Sequence, residues 1–152
     1  MKYSALTIAK FIIRYCEQNN KRVSNLKLQK LLYFVWRDYF KDTNQELFDE
    51  PFCAWKFGAV VSSVYYEYCS FGYLDIWESV ADRGNDLGIL DDDKQIIEKA
   101  IDKYNGFTAE QLVEETHKDE TPWSLTYNGG AGNKMMISSE LIKNEARSIQ
   151  DE

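Results

Sequence analysis

His117 is the single histidine of the chain, so the side chain that most readily moves a proton near neutral pH has one address. With Glu114, Glu115 or Asp119 orienting its ring, it would act as a general base or a ligand. The same position suits a plainer role, closing a helix C-terminus and packing beside Trp123. A hydrolase or metal enzyme centred on His117 is therefore one reading, but the supporting groups are weak. No serine lies in a G-x-S-x-G context, and Ser124 or Ser138 near a histidine is an arrangement any helical protein supplies by chance. Glu114 and Glu115 are adjacent on a helix and diverge by about 100 degrees, which does not aim two carboxylates at one substrate.

Other chemistry-bearing clusters resolve in the same way. The run NGGAGN at residues 128–133 lacks both the G-x-G-x-x-G spacing and the G-K-[ST] lysine of phosphate loops. Asp91, Asp92 and Asp93 do not follow the alternating ligand pattern of a calcium loop, and one of them capping a helix is the simpler expectation. Cys16, Cys53 and Cys69 are odd in number and without CxxC spacing, which fits buried reduced thiols. No catalytic residue, metal or cofactor is expected. Lys27, Lys30 and Arg37 alternate with Tyr33, Phe34 and Trp36, a pattern that can bind single strands. Three cations diluted by Asp38 read more simply as a solvated helix face.

The aromatic load is the feature left over. Fifteen of the 22 aromatic residues lie between Tyr33 and Trp77, and rings dominate both cores and interfaces. Tyr65, Tyr66 and Tyr68 point in successive directions around one helix, so at least one must leave the core. Tyr66 is the candidate, and a protein–protein surface is the function class it suggests.

A chain of 152 residues matches one domain and can bury roughly two-thirds or more of its unfolded surface. Hydrophobic residues at 44% and charged residues at 28% are ordinary globular values. The net charge of −7 repels phosphate backbones and argues against direct nucleic-acid binding, while it suits basic partners. With no leader-like start and no window approaching the ~18 apolar residues of a membrane span, a cytoplasmic protein is expected.

Helical spacing supplies the elements. Ala5, Ile8, Ala9, Ile12 and Cys16 mark a first helix from Ser4 to about Gln18, and Ser24 caps a second whose stripe is Leu28, Leu31, Leu32, Val35 and Tyr39. Residues 42–51 form a loop in which Leu47 and Phe48 tuck back. Residues 52–57 are a short helix or strand, Gly58 breaks it, and a helix with Val61, Val64, Tyr65 and Tyr68 on one face follows. Residues 78–93 carry six acids against one Arg and read as a solvated connection, with one or two short strands at most. A helix through Ile96, Ile97, Ala100, Ile101 and Tyr104, a T-x-x-Q capping box at Thr108 and Gln111, Pro122 in a first helical turn, and a last helix from Ser138 or Ser139 complete the chain. Gln150 to Glu152 should fray. The expectation is an all-α, single-domain bundle of six or seven helices spanning residues 1–152.

The order KLQKLLYF at residues 27–34, AWKFGAVVSSVYYEY at 54–68 with Phe71 and Gly72, and THKDETPW at 116–123 resembles the Panacea domain. This is the SocA-like antitoxin family, which also takes in phage-associated proteins of the GepA type. Residues 5–16 and 137–142 extend the match over nearly the whole chain. One departure is Ala59, where the family usually has proline in G-P-V, and its absence leaves a more adjustable turn into the helix. The resemblance implies an all-helical antitoxin that inactivates a cognate toxin by direct contact in a toxin–antitoxin or phage-defence module. A proteolytic adaptor that presents its partner to a Clp-type protease is the alternative it offers. No catalytic residue carries over. The matched motif residues are Gln29, Lys30, Tyr33, Trp55, Gly58, Tyr65, His117 and Trp123, and Trp36 and Tyr66 join them as ring candidates for partner binding.

Overall fold

The computed structural model describes residues 2–78 and 80–149. The expected fraying of Gln150, Asp151 and Glu152 lies outside them. Helix α1 (Ala5–Gln18) begins where the Ser4 side chain accepts from the Thr7 amide, and α2 (Asn25–Thr43) where Ser24 does the same for Lys27. Strands β1 (Cys53–Trp55) and β2 (Gly58–Val60) form an antiparallel hairpin with Ala54 opposite Ala59. There follow α3 (Ser62–Tyr68), a single turn α4 (Val80–Arg83), α5 (Asp91–Tyr104), α6 (Ala109–Thr116), α7 (Pro122–Tyr127) and α8 (Ser139–Ser148). Among the described residues this gives seven helices of six residues or more and one small sheet, a predominantly α protein.

Helix α2 is the axis of the fold and touches α1, α3, α5, α6, α8 and β2. Its residues 28–36 are buried without interruption, the signature of a helix enclosed on all sides rather than half-solvated. The solvated face expected for Lys27, Lys30 and Arg37 is therefore a correction. Lys30 is fully buried, and the Arg37 guanidinium lies over the Phe34 ring while bonding Glu145 and the Tyr104 hydroxyl. Each Leu or Ile sealed around α2 contributes about 1.5–3 kcal/mol of burial, so the cost of enclosing a cation is spread over a large apolar surface.

Three further expectations are corrected. The two strands sit at 53–60, not in 78–93, whose described part contains only α4 and connections. That connection is not wholly solvated: Glu78 is buried against the Arg14 guanidinium at 3.0 Å, and Ile89 enters the core. None of Asp91, Asp92 and Asp93 caps α5, because the capping position is Leu90. The three acids occupy its first turn, where the helix dipole favours them, and Asp93 also accepts from the hydroxyls of Tyr3 and Tyr39. The cysteines are all free, yet only Cys16 is buried; Cys53 is half-buried and Cys69 exposed.

Candidate functional site

The hairpin is the point on which the sequence motifs converge. A two-residue turn, Lys56 and Phe57, joins the strands, and Gly58 after it has φ +116, a conformation side-chain-bearing residues rarely adopt. A Cβ at Gly58 would stand 2.6 Å from Lys30 Cε and 3.1 Å from Thr116 Oγ1. Glycine is thus required here for both backbone angle and close approach.

From α2, three polar side chains grip the hairpin and its exit. The Lys30 ammonium donates to the Ala59 carbonyl at 2.6 Å. Gln29 Oε1 accepts from the Val61 amide at 3.0 Å, its Nε2 donates to Asn25 Oδ1, and Asn25 Nδ2 donates to the Tyr65 carbonyl. Burial pushes Lys30 down to about 7, since the enclosing residues leave the charged form without water. From the other side, Trp123 donates its indole N–H to the Trp55 carbonyl at 2.6 Å. The His117 ring stacks flat on Trp123 with centroids 3.8 Å apart.

His117 is the C-terminal cap of α6, and its Nε2 is buried without a hydrogen-bond partner. Burial first, then the Lys30 charge, lowers its pKa, so the ring is neutral. Glu114, Glu115 and Asp119 are exposed, and among the described residues none hydrogen-bonds the imidazole. The ring serves as a packing plate under Trp123.

Above this scaffold lies an aromatic surface. Trp55 meets Tyr65 edge-on at 4.8 Å, and Tyr65 meets Tyr66 at 5.4 Å. Tyr66 is 62% exposed, as the helical spacing of the tyrosines suggested. Trp55, Tyr65, Phe57 and Tyr73 wall a cleft of about 560 Å³ whose floor includes Asn25 and Gln29. Tyr73 is 90% exposed, and Leu74 and Trp77 are also exposed.

Not all the sequence candidates reach this surface. Tyr33 is buried and donates to Glu145 on α8. Trp36 is buried with its indole N–H on the Phe48 carbonyl. Gln29, Lys30, Gly58, His117 and Trp123 support the cleft, Trp55 and Tyr65 line it, and Tyr66 stands outside its lining in ring contact with both. Sequence reasoning missed Phe57, Tyr73, Lys56 and Lys134. The turns at Lys56-Phe57 and at Gly72 place Lys56, Phe57 and Tyr73 outside any helical stripe, and their meeting with Lys134 depends on tertiary placement.

The sequence profile described as "Antitoxin SocA-like, Panacea domain" matches residues 28–124, a span that contains the hairpin and every supporting residue just described except Asn25. A curated relative, "Antitoxin SocA" of Caulobacter vibrioides, is 32% identical over 136 residues, covering 82% of this chain and 72% of the relative. No solved structure matches. With the profile spanning well over half of the chain and the relative matching 82% of it, the chain belongs to the SocA-like antitoxin family with a Panacea domain.

Proposed function

We propose that this protein is a non-catalytic antitoxin that neutralises a cognate toxin by direct protein–protein contact. The observation that carries the reading is the ring cluster of half-buried Trp55 on the hairpin with half-buried Tyr65 and exposed Tyr66 on α3, above a hairpin and its exit braced by Lys30, Gln29 and Trp123. Exposed rings on a rigid support give large contact area with little ordering cost on binding. Phe57 and Tyr73, both exposed on the same cleft, add apolar surface of the kind that marks interaction sites in folded proteins. Family membership supplies the class of partner: the relative is named an antitoxin, and a toxin–antitoxin or phage-defence module is the setting in which this chain would act. The net charge of −7 steers the encounter toward a basic toxin.

The test is co-expression with the toxin encoded beside the gene. Toxicity should disappear in step with a stoichiometric complex, and Tyr66→Ala should weaken both. A toxin that remains active and unbound at equal concentration contradicts the proposal. Delivery to a Clp-type protease would instead shorten the toxin's half-life; occlusion leaves that half-life unchanged in the presence of the antitoxin.

A further inference from the structure

We infer that the cleft between Trp55, Tyr65 and Tyr73 receives a segment of a partner polypeptide that carries an apolar or aromatic anchor next to one or more carboxylates. The inference rests on the antitoxin reading above and specifies the chemistry of the contact. A volume of about 560 Å³ is suited to one or two large side chains, not to a folded domain. Its walls are rings, so the anchor is apolar.

The carboxylate follows from the charges. The chain carries 25 acids against 18 bases, yet among the described residues no acid lines the cleft while Lys56 and Lys134 both do. Lys134 Nζ stands 5.4 Å from the Trp55 ring centre and Lys56 Nζ 5.6 Å from that of Phe57. Among the described residues neither has an ion-pair partner, whereas Lys2, Lys118 and Lys143 each lie within 3.0 Å of a carboxylate. The cleft thus presents two cations against aromatic faces with no anion of its own, and an incoming carboxylate would make charge-assisted hydrogen bonds there. A polynucleotide fits less well, because two cations cannot offset the repulsion of a −7 body for a phosphate chain.

Strand addition is not the mode of capture. The outward backbone groups of β1 are taken, with the Ala54 amide on the Met135 carbonyl at 2.8 Å and the Ala54 carbonyl accepting from Lys134. On the far side of β2, the Ala59 carbonyl and the Val61 amide are taken by Lys30 and Gln29. Recognition therefore runs through side-chain anchoring rather than main-chain pairing.

The experiment pans a random displayed library of linear peptides over the purified full chain and over the Lys56→Glu/Lys134→Glu double variant, after circular dichroism shows both folded. Enriched peptides are synthesised and titrated by fluorescence anisotropy, and occupancy is read by protection of Cys69, an exposed thiol in the cleft lining, from alkylation. Peptides pairing an aromatic or aliphatic residue with Asp or Glu are expected, with affinity falling roughly tenfold or more in the double variant and in Tyr73→Ala. No enrichment, peptides without acids, indifference to charge reversal, or an unprotected Cys69 would overturn the inference, as would a single-stranded oligonucleotide binding here in place of peptide. A toxin that forms its complex while Cys69 stays reactive would remove this inference and leave the antitoxin reading standing. Failure of the toxin to bind removes only the latter.

Discussion

The Lys30 ammonium donates a 2.6 Å hydrogen bond to the Ala59 carbonyl, so a fully buried cation is committed to holding the hairpin that carries Trp55 and Phe57. No carboxylate accompanies it in that contact. Burial alone sets its pKa at about 7 against the ordinary 10.5.

Stability should therefore rise with pH from about 7 upward. Between the folded and unfolded values the unfolded chain binds a proton at Lys30 that the folded chain has released, and removing protons favours the fold. Below the folded value both states carry the proton and the penalty is complete. Above about pH 9 the trend reverses, since burial pushes the Cys16 thiol up to about 11 and the Tyr15 and Tyr39 hydroxyls to about 12, so the unfolded chain ionises first. Urea midpoints at pH 7 and pH 8.5 should differ in the wild type and coincide in Lys30→Met. A midpoint that falls over this interval contradicts the assignment.

At the turn, Gly58→Ala should destabilise by about 2–4 kcal/mol, because it combines a positive φ with a Cβ driven into Lys30. Ala59→Pro should be tolerated within about 1 kcal/mol. Ala54 sends its amide and carbonyl to residues 134 and 135, which makes Ala54 and Ala59 a non-hydrogen-bonded pair and turns the Ala59 N–H away from β1. Thermal denaturation of the two variants checks both halves.

Replacing the imidazole separates packing from chemistry. His117→Ala should cost about 1–3 kcal/mol through lost stacking on Trp123. His117→Phe keeps a ring and removes the partnerless Nε2, so its stability should stay within about 1 kcal/mol and its toxin neutralisation should be intact. A folded His117→Phe protein that fails to neutralise would restore a chemical role to the imidazole.

The buried and exposed rings should respond in opposite ways. Trp36→Ala should lose about 3–5 kcal/mol of stability, because Trp36 is sealed in the core and hydrogen-bonded to Phe48. Tyr66→Ala and Tyr73→Ala should change stability by less than about 0.5 kcal/mol while weakening partner binding about tenfold or more. Chemical denaturation beside a binding titration distinguishes them.

Much of the helical frame was legible because it follows from local chemistry. The first helix starts beside Ser4 as its spacing suggested, Ser24 caps the second, and both halves of the Thr108–Gln111 capping box form. The Leu28, Leu31 and Leu32 stripe is core, and Leu47 and Phe48 tuck in. What was not legible depends on partners distant in sequence. Lys30 and Gln29 look like surface residues until the hairpin, 29 and 32 positions away, is laid over them. The hairpin itself was obscured because three-residue strands carry too little alternation to declare a period. Its turn uses Lys56 and Phe57 instead of the usual Asn-Gly type. Tyr66 was readable from helix geometry, whereas Tyr73, Lys56 and Lys134 meet in the cleft only through tertiary placement.

In the antitoxin reading, the aromatic surface shared by the braced hairpin, α3 and Tyr73 inactivates another polypeptide by contact. Calorimetric titration of the neighbouring toxin with this protein and with its Tyr66→Ala/Tyr73→Ala variant, scored beside toxin activity, tests it most directly. The account predicts saturation at a fixed ratio with activity lost in proportion, and a variant equally stable but weaker in both. Toxin that stays active through an excess of folded antitoxin, or a variant indistinguishable from the wild type in binding and neutralisation, would contradict it.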